Sequence, residues 1–411
     1  MPGMLHWLQM HNQFSFFNGN QYKLPYDPFK TFAAAGSIKT MIPDSDDPFR
    51  DLKEFYDSEQ DWLIGRLNYD LKNSLEDLES NNFDRLESEE MSFFIPETLI
   101  FIQSEGIMIS TIHDPDLVFK EIIHFPVTSP VQQSFQIECD TSKSEYINAV
   151  KAIKKQIFKG DFYELNYCME FFTGARNVDL ANIYLYLNNI SPMPFSAFQG
   201  INGQYVLSAS PERFLKKTGD NILAQPIKGT MKRDIDPLVD NKLKEQLRHS
   251  EKEIAENMMI VDLMRNDLGR SAVPGSILVP EMFEIYSYNH VHQMISTITA
   301  KLREDIHIID SIRNAFPMGS MTGAPKIRVM EAIDHYEKSK RGMFSGSAGY
   351  ITPEGDFDFN VLIRSIFYSN KTGHLKFNAG SAITYDAEPE SEYNECMLKT
   401  RSMREALGIS F

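Results

Sequence analysis

Apolar runs in this chain come in close pairs, and that pairing limits the folds open to it. Residues 62–70 read as a strand ending in a turn, and 93–96 and 98–102 as two strand pieces parted by Pro96. Strand-like pieces follow at 161–167, 195–198 and 204–208, then over 277–299, 346–352, 359–369 and 375–384. Helical spacing is rarer. Ser142 or Ser144 caps a stretch in which Ile147, Val150, Ile153, Ile157 and Phe158 recur at helical intervals, and Gly160 ends it. Further helices are expected over 240–267, 325–339 and 389–406. Hairpin-like runs therefore outnumber strand–helix–strand units, a pattern that predicts an α+β fold with antiparallel sheets. Residues 1–135 read as a strand-rich region packed onto the core, 126–133 as a connection, and 136–411 as the domain that carries the chemistry.

Charge narrows the partners. The formal net charge is −16, which argues against nucleic acid and membrane surfaces, both of which need a basic patch. Residues 44–90 carry sixteen acidic and five basic side chains and are expected to form a solvated face. An anionic substrate must then be held by local cations against the global field. No run of about 18 apolar residues and no signal peptide is evident, so a cytoplasmic protein is expected. Cys139, Cys168 and Cys396 show no metal or redox spacing, and buried filler in a reducing compartment is their default role.

Several constellations could carry chemistry. In Pro226-Ile227-Lys228-Gly229-Thr230 the lysine has no adjacent acid. It is either solvated in a surface turn or, in a desolvated pocket, kept neutral as a nucleophile. Around residue 255, Glu253, Glu256, Asn257, Ile260 and Met264 share one helical face, and Glu392, Glu395, Cys396, Lys399 and Met403 repeat the device near the C-terminus. Two Glu-x-x-Glu pairs suit an oxygen cage for Mg2+, although the same spacing also describes a solvated helix face. Thr322-Gly323-Ala324-Pro325-Lys326 precedes a helix, with Pro325 at its first position, and reads either as an anion site or as a well-made cap. His292, in a strand-like run, is either structural or catalytic. Arg364 sits in an apolar strand and needs a carboxylate partner from substrate or protein.

Together these stretches resemble the chorismate-utilising enzymes. The resemblance runs in order through Gly160-Asp161-Phe162-Tyr163-Glu164-Leu165-Asn166, Ser208-Ala209-Ser210-Pro211-Glu212-Arg213-Phe214, the Lys228 pentapeptide, and the stretch from Ala255 through Asp262 to Asp267. It continues through Thr322 to Lys326, Gly346-Ser347-Ala348-Gly349-Tyr350, Ile363-Arg364 and Glu392-Tyr393-Asn394-Glu395. It covers roughly residues 140–400 and implies large antiparallel sheets forming a sandwich with helices outside. It also implies Mg2+ held chiefly by Glu256 and Glu395, with Glu253 and Glu392 supporting. Lys228 would attack carbon 2 of chorismate while Glu212, as general acid, helps the carbon 4 hydroxyl leave. Arg364, Lys399 and Tyr350 would hold the enolpyruvyl end, Thr230 and Ser347 the ring side, with Gly380 close to substrate and His292 among the catalytic candidates.

Within the family, a lysine at position 228 points to amination of chorismate at carbon 4, on the way to 4-aminobenzoate and folate. Members that make anthranilate usually carry a small residue there, and that product is the alternative; a catalytically silent, partner-binding homologue is the third reading. Members that add water place a lysine where this chain has Glu164. Two departures stand out: Phe344 replaces a usual tyrosine, and Ala382 replaces the second glycine of an expected Gly-Ala-Gly turn at Gly380. No fused glutaminase or lyase is expected, so ammonia is expected from a separate glutamine amidotransferase subunit.

Overall fold

The computed structural model describes residues 1–127 and 135–409; most of the connection expected over 126–133 lies outside them. Two large sheets, of eleven and ten strands, dominate. The pairings between their strands are antiparallel, as in Phe195–Ile201 against Gln204–Ser210, or His374–Ile383 against Glu164–Gly174.

The N-terminal strands are built into both sheets. Gln13–Asn18 pairs with Phe195–Ile201 in the larger sheet, and Leu63–Leu67 pairs with Ser347–Ile351 in the smaller. Residues 44–90 are accordingly more than a solvated face: Leu63–Leu67 is buried throughout, and Arg66, Asp70 and Lys72 are buried with it.

The alternation of side chains along each strand explains how the layers hold together. Val206 and Phe367 of the larger sheet meet Phe214, Ile351 and Phe359 of the smaller in one core. Their neighbours Leu207 and Ile366 turn to the other face, against the helices Lys143–Lys159 and Leu180–Ile190. Strands apolar on both faces are what a sandwich with helices outside requires. Phe344 lies in the inter-sheet core.

Helix boundaries follow their caps. Ser142 and Glu145 form a capping box at the start of Lys143–Lys159, and Gly160 closes it at φ 85°. The helix expected over 240–267 is two helices, Pro237–Arg248 and Glu251–Gly269. Ser250 interrupts it by accepting from the Glu253 N–H, so the second helix starts at Glu251 with Glu253 in its first turn. The C-terminal helix likewise divides into Pro389–Lys399 and Arg401–Ala406 at Thr400, whose hydroxyl donates back to the Met397 carbonyl. No helix among the described residues is long and apolar enough to cross a membrane.

Candidate active site

Lys228 lies on the strand Ile227–Lys232, which pairs with Val291–Lys301. The register runs from Ile227 opposite Ile295 to Thr230 opposite Gln293, so Lys228 and Gly229 form a bulge. Gly229 sits at φ 86°, and a Cβ there would stand 3.0 Å from Glu253 Oε2 and from Leu247. A glycine is needed for that backbone to lie against the glutamate helix. The lysine is buried, and its Nζ donates to Glu164 Oε1.

Glu164 begins the long strand Glu164–Gly174 and is itself buried. Its backbone pairs with Ala324, and a Cβ on Gly323 would come within 2.1 Å of the Glu164 carbonyl. The Thr322–Lys326 segment thus serves as an edge strand against Glu164 rather than as a free helix end. Pro325 is the N-cap and not the first helical residue, Thr322 bonds the Met318 and Gly319 carbonyls, and Lys326 Nζ is drawn onto Asp267 at 2.6 Å.

Lys228 is neither solvated in a surface turn nor free of acids. Burial alone would lower its pKa, but the charges of Glu164 and Glu256, the Glu164 hydrogen bond and Glu212 outweigh burial and raise it. The acids around Lys228 show the opposite strain. Burial pushes Glu212 up to about 7, against the pull of the Ser320 hydroxyl, the Lys228 charge and the Ile227 N–H. Burial likewise pushes Glu256 up to about 7, with Glu164 and Glu253 adding to the rise. Glu164 Oε2 and Glu256 Oε1 are both buried without a hydrogen-bond partner. Ser320, with Glu212, Pro226, Met264, Met318 and Val361, lines a small cavity beside this group.

The glutamate helices face one another around Lys252. Its Nζ stands 3.1 Å from Glu392 Oε1 and 3.8 Å from Glu256 Oε1. Burial raises the pKa of Glu253, Lys252 opposes the rise, and Glu395 adds to it. Glu395 is held low because its bridge to Lys399, 2.8 Å long, overcomes burial. Lys399 Nζ also donates to the Gly380 carbonyl at 2.9 Å, and Arg364 donates to the Lys399 carbonyl at 3.0 Å. Arg364 takes a left-handed φ of 54°, a conformation that L side chains adopt at a cost and that places its guanidinium beside this helix end.

Among the described residues, no three His, Cys, Asp or Glu side chains are arranged to hold a metal ion as they stand. The donor set nevertheless fits a hard divalent cation. Four carboxylates lie on the two facing helices, Glu256 Oε1 is buried without a hydrogen bond, and burial pushes Glu253 and Glu256 towards protonation against the charge of Lys252.

Other expected residues lie elsewhere or are already engaged. Tyr350 is packed among Phe17, Phe32 and Trp62 in an aromatic core, which corrects its expected place on substrate. His292 is bonded on both ring nitrogens within the protein, to Asp240 at 3.0 Å and Ser287 at 2.8 Å. The Ser347 hydroxyl is buried on the Asn360 carbonyl, while Thr230 is exposed. Gly380 is inside a strand, not a turn, and a Cβ there would stand 2.4 Å from Cys168 Sγ. Of the cysteines, Cys168 and Cys396 are buried and Cys139 is exposed.

Three participants were not foreseen in these roles. The sequence marks Glu164 only as the place where water-adding members carry a lysine, and gives Lys252 and Ser320 no role. Ser250-x-x-Glu253, a capping signature, would have located the helix start that aims Lys252. Nothing local in the sequence joins Glu164 to Lys228.

Comparison with known proteins identifies the family. The family model for chorismate binding enzymes matches residues 8–405. Aminodeoxychorismate synthase component 1 of Salmonella typhimurium is 35% identical over 357 residues, 86% of this chain and 76% of that one. The chloroplastic aminodeoxychorismate synthase of Arabidopsis thaliana is 42% identical over 285 residues, 69% of this chain, which spans about a third (31%) of that protein's length. Anthranilate synthase component I from Streptococcus pneumoniae superposes with a TM-score of 0.79 at 23% identity, over 94% of each chain, a likeness of fold. A match over nearly its whole length, with relatives at this identity, places the chain in the chorismate-binding enzyme family.

Proposed function

We propose that this chain catalyses the amination of chorismate by ammonia to 4-amino-4-deoxychorismate, the precursor of 4-aminobenzoate. The observation that carries the reading is the buried Lys228, bonded to Glu164 with Glu212 beside it. A nucleophile, a group to receive its proton and an acid poised near neutrality stand together. Lys228 gives a proton to Glu164 and adds as an amine to carbon 2 of the ring. The double bonds shift, and the carbon 4 hydroxyl leaves as water with the proton of Glu212. Ammonia then adds at carbon 4, the bonds shift back, the lysine amine is expelled, and the surplus proton on the new amine returns to Glu212. Arg364 and Lys399 supply local positive charge for a dicarboxylate.

Glu256 and Glu395, with Glu253 and Glu392, would hold Mg2+, which when bound supplies positive charge for the ring carboxylate. The component 1 relatives support a second subunit, and a glutamine amidotransferase that releases ammonia is the partner proposed. A competing reading has one observation in its favour: an anthranilate synthase component of Haloarcula marismortui is 37% identical over 269 residues. Purified chain supplied with chorismate, Mg2+ and ammonium separates the two. The amination reading expects 4-amino-4-deoxychorismate, yielding 4-aminobenzoate only after a lyase is added. Anthranilate and pyruvate without a lyase would overturn it.

A further inference from the structure

Lys252 stands where the metal reading puts the ion. Its Nζ reaches Glu392 Oε1 at 3.1 Å across the gap between the two glutamate helices, and lies 3.8 Å from Glu256 Oε1 one turn along its own helix. Both carboxylates are nearly closed to water, whereas the Lys252 side chain is 44% exposed. The other cations differ. Lys228 is buried in its bond to Glu164, and Lys399 is tied to Glu395 and the Gly380 carbonyl. Of the three, Lys252 alone combines a place between the helices with a stem that lets its head swing into solvent.

Buried carboxylates without a cation are costly, and an ammonium lent by the same helix offsets that cost. A divalent ion using the same oxygens would meet this ammonium within a few ångströms and repel it. We propose that Lys252 is a tethered counter-cation of the carboxylate site, one that a divalent metal ion must displace in order to bind. This rests on the metal reading of the four glutamates given above. It adds that the site is never uncompensated, and that the displaced lysine weakens metal affinity in exchange for stability without metal.

The test is a titration of the purified chain with MgCl2 by isothermal calorimetry, paired with melting curves in chelator. Lys252→Met should bind Mg2+ at least about tenfold more tightly than the wild type, because both the competitor and its repulsion are gone. Its melting temperature in chelator should fall below that of the wild type and recover with Mg2+. Lys252→Arg, which keeps the charge, should bind much as the wild type does. A folded Lys252→Met that binds Mg2+ equally or more weakly overturns the proposal, since Lys252 would then be only a brace for Glu392. Should that variant not fold, Lys252→Gln is read by the same criterion. If neither the wild type nor the variants bind Mg2+, the metal reading of the glutamates fails, and this proposal with it.

Discussion

Two buried charge clusters lie side by side in this protein and are built on opposite principles. In the Arg341–Glu337 pair every donor and both carboxylate oxygens are partnered. The guanidinium donates to both oxygens of Glu337, at 2.9 and 2.6 Å, to the Met321 and Asn166 carbonyls, at 2.7 and 2.8 Å, and to Ser345 Oγ at 3.3 Å. Glu337 also accepts the Cys168 N–H at 3.0 Å. The second cluster draws on the same two segments of chain, through Glu164 and Ser320, yet leaves Glu164 Oε2 and Glu256 Oε1 without hydrogen bonds, and burial pushes two acids to about 7. A saturated cluster is scaffold. One with unmet acceptors and acids near neutrality is arranged for a substrate, a metal ion or a proton in transit.

The contrast breaks most sharply at Lys228. Lys228→Ala should cut the rate of chorismate amination by about 10³-fold or more, measured by product chromatography, while leaving the chain folded, because the remaining carboxyls can take up protons. Arg341→Met should do the reverse. It strands Glu337 among buried groups and should lower stability by about 3–5 kcal/mol in denaturant unfolding. Comparable stability loss in both variants would erase the distinction.

The acids supply a smaller, pH-dependent effect. The folded pKa of Glu212, about 7, lies above the ordinary 4.5, so the folded state binds its proton more tightly than the unfolded chain does. Its stabilising contribution is complete below pH 4.5 and is lost as pH rises through 7, leaving a relative penalty of about 3 kcal/mol at alkaline pH. Glu212→Gln should therefore raise the unfolding free energy at pH 8 by an amount of that order and leave it little changed at pH 4. An increase that does not depend on pH would show that folding leaves the Glu212 pKa unshifted.

Much of this was legible in the sequence because it is local. Capping at Ser142 and Gly160, the paired strands and the glutamate faces of both helices follow from spacing and propensity over a few residues. The errors have long-range causes. Along Ser347–Ile351 every residue is buried, so no alternation of polar and apolar side chains shows which face Tyr350 takes, and it turned to the aromatic core. The Lys228–Glu164 contact joins residues 64 apart through a bulge and a strand end, and the missing neighbour of a lysine cannot be inferred from its own pentapeptide. His292 was ambiguous for the same reason: Asp240 lies 52 residues away on a separate helix.

The account stands on Lys228 as a nucleophile rather than a bystander in an ion pair. Its most direct test is to incubate the protein with chorismate and Mg2+ in the absence of ammonia, then map covalent adducts by peptide mass spectrometry. The account predicts a chorismate-derived adduct, formed with loss of water, on the peptide carrying Lys228 and absent from Lys228→Ala. Turnover on adding ammonia with Lys228 unmodified at every time point, and with Lys228→Ala equally active, would contradict it.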